Sequence, residues 1–204
     1  MASRTESKQG GRSGGGQDNS SGWGGGNAGV IAGAALAGAA IGMAANVGRK
    51  LFVQFSSGAT GDWLDALKAE HRATLALFDK IEATDDSQTM MRAHLLTKLK
   101  YALDRHAVEE ENVIYPALRE ANLAHDADAL NGEHGYVKTY LYELETMPKD
   151  SPDWLARIRD FRTMIHEHMR MEEDEVFPSF RQSLSPTQNA RLTAMMNKEG
   201  FKVA

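Results

Sequence analysis

From Asp62 onward apolar residues recur every three or four positions, and no stretch alternates with the period of two that a half-buried strand shows. Four long stretches carry this pattern. The first predicts a helix over 62–83, with Trp63, Leu67, Leu75 and Phe78 on its apolar stripe. Asp85-Asp86-Ser87 breaks it, and Ser87 is placed to cap the next helix. The second runs over 88–120 and turns Met91, Leu95, Leu99, Leu103, Val113 and Leu118 inward. The third covers 125–147 and ends at Met147-Pro148. Ser151-Pro152 opens the fourth, Ser as cap and Pro in the first turn, which continues to about 184. Ser185-Pro186 repeats that start for a short helix within 185–204. Long amphipathic helices joined by short links pack antiparallel, so the expected fold is all-α, an up-down-up-down four-helix bundle over 62–184.

The N-terminal part is of another kind. Residues 1–27 are rich in Gly, Ser and Asn and cannot bury enough apolar surface to offset ordering, so they read as a disordered tail. Residues 28–50 contain an Ala/Gly-rich apolar run of about 20 residues, long enough to span a bilayer as a helix. Gly29, Gly33 and Ala37 form one row of small residues, Gly38 and Gly42 another, with Arg49 and Lys50 just beyond. A membrane-inserted or self-associating helix and a flexible linker are both open readings of this run. The expected localisation is cytoplasmic, with the apolar run as the route to a membrane.

Charge and histidine separate along the same line. Residues 1–60 hold five basic residues against Glu6 and Asp18, or +3, which leaves −8 of the total −5 on residues 61–204. An acidic domain is a poor partner for nucleic acid, and none is expected. All seven histidines lie in this acidic part. The chain has no cysteine, so disulfides, thiolate zinc sites and cysteine nucleophiles are excluded. A bound metal must then rest on imidazole and carboxylate, a donor set suited to iron, manganese or zinc.

Two segments match. His106-Ala-Val-Glu-Glu110-Glu111 is followed by Tyr115-Pro116, and His168-Met-Arg-Met-Glu172-Glu173 by Phe177-Pro178 at the same offset. Positions i and i+4 stack on one helix face, so His106 with Glu110 makes one chelating edge and His168 with Glu172 another. Two such edges facing each other across a bundle would converge. His71 on the first helix and His134 on the third give every long helix a ligand. Four imidazoles and two carboxylates suit a pair of first-row metals, with the carboxylates bridging. A lone His-x3-Glu pair on a helix is most often a solvated surface pair; two in matching context, with a His on each remaining helix, are far more specific.

On these residues, His71, His106-x3-Glu110, His134 and His168-x3-Glu172, the chain resembles the hemerythrin family, in particular the bacterial HHE cation-binding domains. The resemblance covers 62–184. It implies two non-haem irons (Fe2+/Fe3+), oxo- or hydroxo-bridged, with Glu110 and Glu172 bridging and the four histidines as terminal ligands. It implies binding of O2 or a related small oxidant, or sensing of iron and oxygen. Oxygen-carrying members have a further His four residues before the equivalent of His134, where this chain has Leu130. A water, a Glu or a Tyr can take that place, or it can stay open. The departure admits a di-iron oxidoreductase (a ferroxidase, or an enzyme consuming peroxide or nitric oxide) or an iron-storage or stress-response protein assembled through its N-terminus.

The remaining candidates are assigned elsewhere. His166 lies two residues before His168, on a different face, and His94 and His125 read as peripheral. Glu111 and Glu173 read as supporting or solvated groups, Tyr115 and Phe177 as core packing, and Met164, Met169 and Met171 as core filler. Tyr136, Tyr140 and Tyr142 are the tyrosines weighed as an unusual ligand. Pro116 and Pro178 should kink or end their helices.

Overall fold

The structure, a computed structural model, describes residues 61–203; the expectations for 1–27 and 28–50 fall outside them. The described residues fold as helices throughout: α1 (Trp63–Glu82), α2 (Thr89–Glu109), π1 (Glu110–Ile114), α3 (Tyr115–Glu120), α4 (Ala124–Thr146), α5 (Trp154–Arg170), π2 (Met171–Val176), α6 (Phe177–Ser183) and α7 (Pro186–Val203). α2, π1 and α3 form one continuous rod, and α5, π2 and α6 another. The four rods pack as an antiparallel up-down-up-down bundle in which α1 neighbours the second and fourth rods, and α4 neighbours the same two. The second and fourth rods are therefore diagonal, facing across the core.

Local chemistry explains most of the helix ends. Asp62 caps α1 by accepting from the backbone of Leu64 and Asp65, and Asp65 returns the bond to the Asp62 amide. α3 ends with Asn122 at φ 65°, where the Leu123 amide reaches back to the Leu118 carbonyl at 2.9 Å. Asn is one of the few residues other than Gly that adopts this left-handed ending readily. Ser185 and Gln188 exchange bonds at the start of α7, which runs for 18 residues, longer than the pattern suggested. Two expected caps differ. Ser87 turns its hydroxyl to Asp85, so the cap position of α2 falls to Gln88, which makes no side-chain cap bond. Ser151 sits in the turn before α5, whose cap position is Asp153. In each case the hydroxyl or amide is satisfied within the turn, the competition that makes short polar residues ambiguous as caps.

Pro116 and Pro178 do not end their rods. Each follows a π-helical turn, in which the Tyr115 amide bonds to the Glu110 carbonyl and the Phe177 amide to the Glu172 carbonyl, five residues back. The wider turn absorbs the missing proline N–H and lets the rod continue.

The apolar interior is in two parts. One cluster gathers Trp63, Leu67, Tyr115, Leu130, Phe177 and Phe180; the other gathers Phe78, Leu99, Leu141, Trp154, Ile158 and Phe161. The buried polar layer of histidines and glutamates separates them along the bundle. Met91, expected inward, is half exposed, and Leu75 is only partly covered. Arg92 is buried instead, its Nε donating to Thr84 Oγ1 at 3.0 Å, its Nη1 to the Lys149 carbonyl, and its guanidinium lying over the Trp154 ring. It ties the two loops at that end together. α7 closes the other end. Thr193 accepts from the Trp63 amide at 3.1 Å and Asn189 from the Trp63 indole at 2.8 Å.

Trp154→Ala removes a fully buried ring from under Arg92 and should lower unfolding free energy by about 3–5 kcal/mol. Urea denaturation checks this; an unchanged midpoint would show that this cluster does not stabilise the bundle.

Candidate metal centre

Each rod delivers an imidazole to the polar layer: His71 from α1, His106 from α2, His134 from α4 and His168 from α5. All four are buried. Glu110 opens π1 and Glu172 is the second residue of π2; both are fully buried. The structure thus brings all six sequence-derived site residues together.

The geometry divides into two halves that share both carboxylates. On one side, His71 Nε2 and His106 Nε2 stand 3.0 Å apart. Glu172 Oε2 lies 3.4 Å from His71 Nε2, and Glu110 Oε1 lies 3.2 Å from His106 Nε2. On the other side, Glu110 Oε2 lies 3.4 Å from His134 Nε2, and Glu172 Oε1 lies 3.5 Å from His168 Nε2. Each carboxylate offers one oxygen to each histidine pair.

The far nitrogens fix the tautomers. His71 Nδ1 meets Glu173 at 2.7 Å, His106 Nδ1 meets Glu70 at 3.1 Å, His134 Nδ1 meets Glu111 at 2.9 Å and His168 Nδ1 meets Glu133 at 2.7 Å. A carboxylate accepts, so each Nδ1 carries a proton and each Nε2 is the nitrogen turned inward. The acids form a closed ring: α1 supplies Glu70 to the second rod, π1 supplies Glu111 to α4, α4 supplies Glu133 to the fourth rod, and π2 supplies Glu173 back to α1. Glu111 and Glu173 take the supporting role expected of them. Glu70 and Glu133 were missed by sequence reading. Each precedes a site histidine in a Glu-His pair, which is the signal that could have found them.

Tyr115 is core packing, as expected, and also more. Its hydroxyl lies 2.8 Å from Glu172 Oε1 and 3.2 Å from both Glu110 Oε2 and His134 Nε2. The tyrosines weighed from sequence lie elsewhere: Tyr136 and Tyr142 are exposed, and Tyr140 stacks on Phe161. Among the histidines left out, His94, His125 and His166 are exposed.

These inward atoms conflict with one another. His71 Nε2 and His106 Nε2 stand 3.0 Å apart with room for one proton at most between them, and Glu110 Oε1, Glu172 Oε2 and His168 Nε2 find no hydrogen-bond partner. Buried acceptors left in that state cost free energy. Burial and then the charge of Glu110 push the Glu172 carboxyl up to about 8. Burial also raises Glu110, but His106 and His134 outweigh it and hold its carboxyl well below the usual range. Burial lowers His71. A cation relieves all of this at once. Donors around a first-row ion with bonds of about 2.1 Å stand about 3 Å apart at right angles, close to the separations on both sides. His71, His106, Glu110 and Glu172 form one group able to hold an ion, and Glu110, His134 and His168 a second. The donor set fits.

Leu130, where the oxygen carriers have a histidine, is packed in the apolar cluster that contains Tyr115. A cavity of about 20 Å³ reaches His106, His134 and His168 from the opposite side, walled by Leu103, Val137 and Met169.

Comparison with known proteins agrees with this geometry. The model of the Hemerythrin HHE cation binding domain matches residues 63–180. A DNA nickase of Nostoc sp. (strain PCC 7120) is 26% identical over 124 residues, 61% of this chain and 35% of that protein. An uncharacterized hemerythrin-like protein of Schizosaccharomyces pombe is 24% identical over 138 residues, 66% of each chain. The chain therefore spans about a third of the first relative and just under two thirds of the second. The crystal structure of an HHE cation-binding domain-containing protein from Mycobacterium kansasii superposes with a TM-score of 0.63 at 23% identity, covering 70% of this chain and 87% of that one, which supports the fold. With the family model matching more than half its length and a His/Glu cluster able to hold a cation at its centre, the chain belongs to the hemerythrin HHE cation-binding domain family.

Proposed function

We propose that the bundle holds two non-haem irons and uses them to bind O2 or a related small oxidant. The observation that carries this reading is the pair of buried carboxylates, each presenting one oxygen to each histidine pair. That arrangement serves two cations held side by side better than one. The ligands are His71, His106, His134 and His168, with Glu110 and Glu172 between the ions. Iron suits a site of imidazole and carboxylate without thiolate and supplies reversible electron exchange with oxygen species.

The chain's own residues set the conditions. The four outer glutamates hold each imidazole in the tautomer that points Nε2 inward and raise its basicity. Apolar clusters at both ends keep bulk water from the layer. The cavity beside His106, His134 and His168 is about 20 Å³, little more than the room one water needs. A space that small suits a small oxidant better than an organic substrate. The absence of an imidazole at Leu130 favours a second reading, turnover of oxidant rather than reversible carriage. Stopped-flow mixing of the di-ferrous protein with O2 and with H2O2 separates them: a stable, reversible O2 complex defeats the enzyme reading, and rapid catalytic loss of peroxide defeats carriage.

Aerobic purification should give about two irons per chain with near-UV charge-transfer absorption; stoichiometric zinc without iron would sink the proposal. His168→Ala and Glu172→Ala should each sharply reduce iron content, and His166→Ala should leave it unchanged. Equal losses in all three would refute the assignment of ligands. Glu70→Ala and Glu133→Ala should weaken iron binding about 10–100-fold without abolishing it, measured against a competing chelator. The affinity should also depend on pH. The cation must displace the proton that Glu172 holds up to about 8, so affinity should climb about tenfold per unit as pH rises toward that value, then level. A profile flat across that range would contradict the carboxylate's role.

A further inference from the structure

The small cavity beside the centre contains a chemically distinctive side chain that the ligand set does not use. It lies between α2, α4 and α5, and its lining joins the buried imidazoles of His106, His134 and His168 to the apolar side chains of Leu103, Ile165 and Met169. Met169 is the only lining residue that carries sulfur. It is 5% exposed and follows the ligand His168 on α5.

Packing explains its burial, since Met169 belongs to the apolar cluster of Phe78, Leu99 and Trp154. A leucine would fill nearly the same volume, as Ile165 does one turn earlier. The thioether differs from those chains in one chemical respect: peroxide converts it to a sulfoxide. Here it shares a space of about 20 Å³ with three imidazoles of the centre, so an oxidant lodged there meets the Met169 side chain. Other methionines supply the contrast. Met164, on the same helix, is half-buried and outside that lining, and Met90 is 86% exposed. Attack from bulk solvent follows exposure and would reach Met90 first and Met169 last.

Resting on the reading of the centre as a site for a small oxidant, we propose that Met169 is a modification site at which hydrogen peroxide lodged in the cavity transfers one oxygen to the sulfur. The O–O bond breaks and an S–O bond forms. The sulfur gives up an electron pair and is oxidised to the sulfoxide, while the other peroxide oxygen leaves as water with both hydrogens. The product places a polar oxygen on the wall of a cavity little larger than one water, which closes it to the next oxidant.

The test uses the full chain loaded with iron, freed of loose metal, assayed for metal content and then treated with hydrogen peroxide. Trypsin releases residues 163–170, which carry Met164 and Met169 together, so fragment masses read both on one peptide. Each sulfoxide adds about 16 Da. Met169 should be oxidised severalfold faster than Met164 in the iron-loaded protein, the reverse of their exposure, and no faster than Met164 in the iron-free protein. Met169 that stays reduced while Met164 and Met90 gain oxygen overturns the assignment, and equal Met169 rates with and without iron overturn the cavity as the source. Returned to the ferrous state, the sulfoxide form should react with fresh peroxide more slowly, followed by iron absorbance; an unchanged rate overturns the closing of the cavity. Met169→Leu, close in volume, should show no such slowing over repeated additions, and slowing that persists in it overturns the role of the sulfoxide. A wild type that takes up no iron overturns the two-iron reading as well, and the metal assay shows this before peroxide is added.

Discussion

The fold is organised around buried imidazole nitrogens and carboxylate oxygens that converge with too few protons to satisfy them all. Four imidazole nitrogens and four carboxylate oxygens point into one layer. Two of those nitrogens are 3.0 Å apart, and three of the buried polar atoms lack any hydrogen-bond partner. Left alone, such a layer would repel itself. A cation held at the centre would convert each repulsion into a bond, and the helices on every side prevent the groups from turning away. The clusters above and below the layer serve the same end, since they keep out the water that would otherwise solvate these atoms.

Much of this was legible in the sequence. Each rod announced itself through its apolar stripe, and His106-x3-Glu110 with His168-x3-Glu172 marked the two facing edges because i and i+4 share a face. Zero cysteine narrowed the donors to imidazole and carboxylate. What stayed hidden depended on tertiary neighbours. Glu70 and Glu133 adjoin site histidines in sequence, yet each supports the histidine of another rod, a pairing that no local pattern encodes. Arg92 reads as an ordinary surface cation on a helix until two loops and Trp154 enclose it.

Tyr115 was obscured for a different reason. A reading built on 3.6 residues per turn places it off the site face, and only a local change of helical pitch returns it. Pro116 and Pro178 were visible, and they were expected to kink or end their rods. The wider turn that precedes each one instead keeps the rod intact while re-aiming the residues beyond it. Periodicity therefore located the two long rods correctly and failed over the single turn where they depart from α geometry.

The ring of outer glutamates has a mechanical meaning. Every rod steadies the imidazole of the next, and the last steadies the first, so no helix owns its ligand alone. Such a layout behaves as a clasp: slippage between any two neighbours slackens a ligand at one point and its brace at another. How tightly the centre grips its cargo thus becomes a gauge of how well the whole barrel of helices is closed, and anything that loosens the barrel loosens the grip.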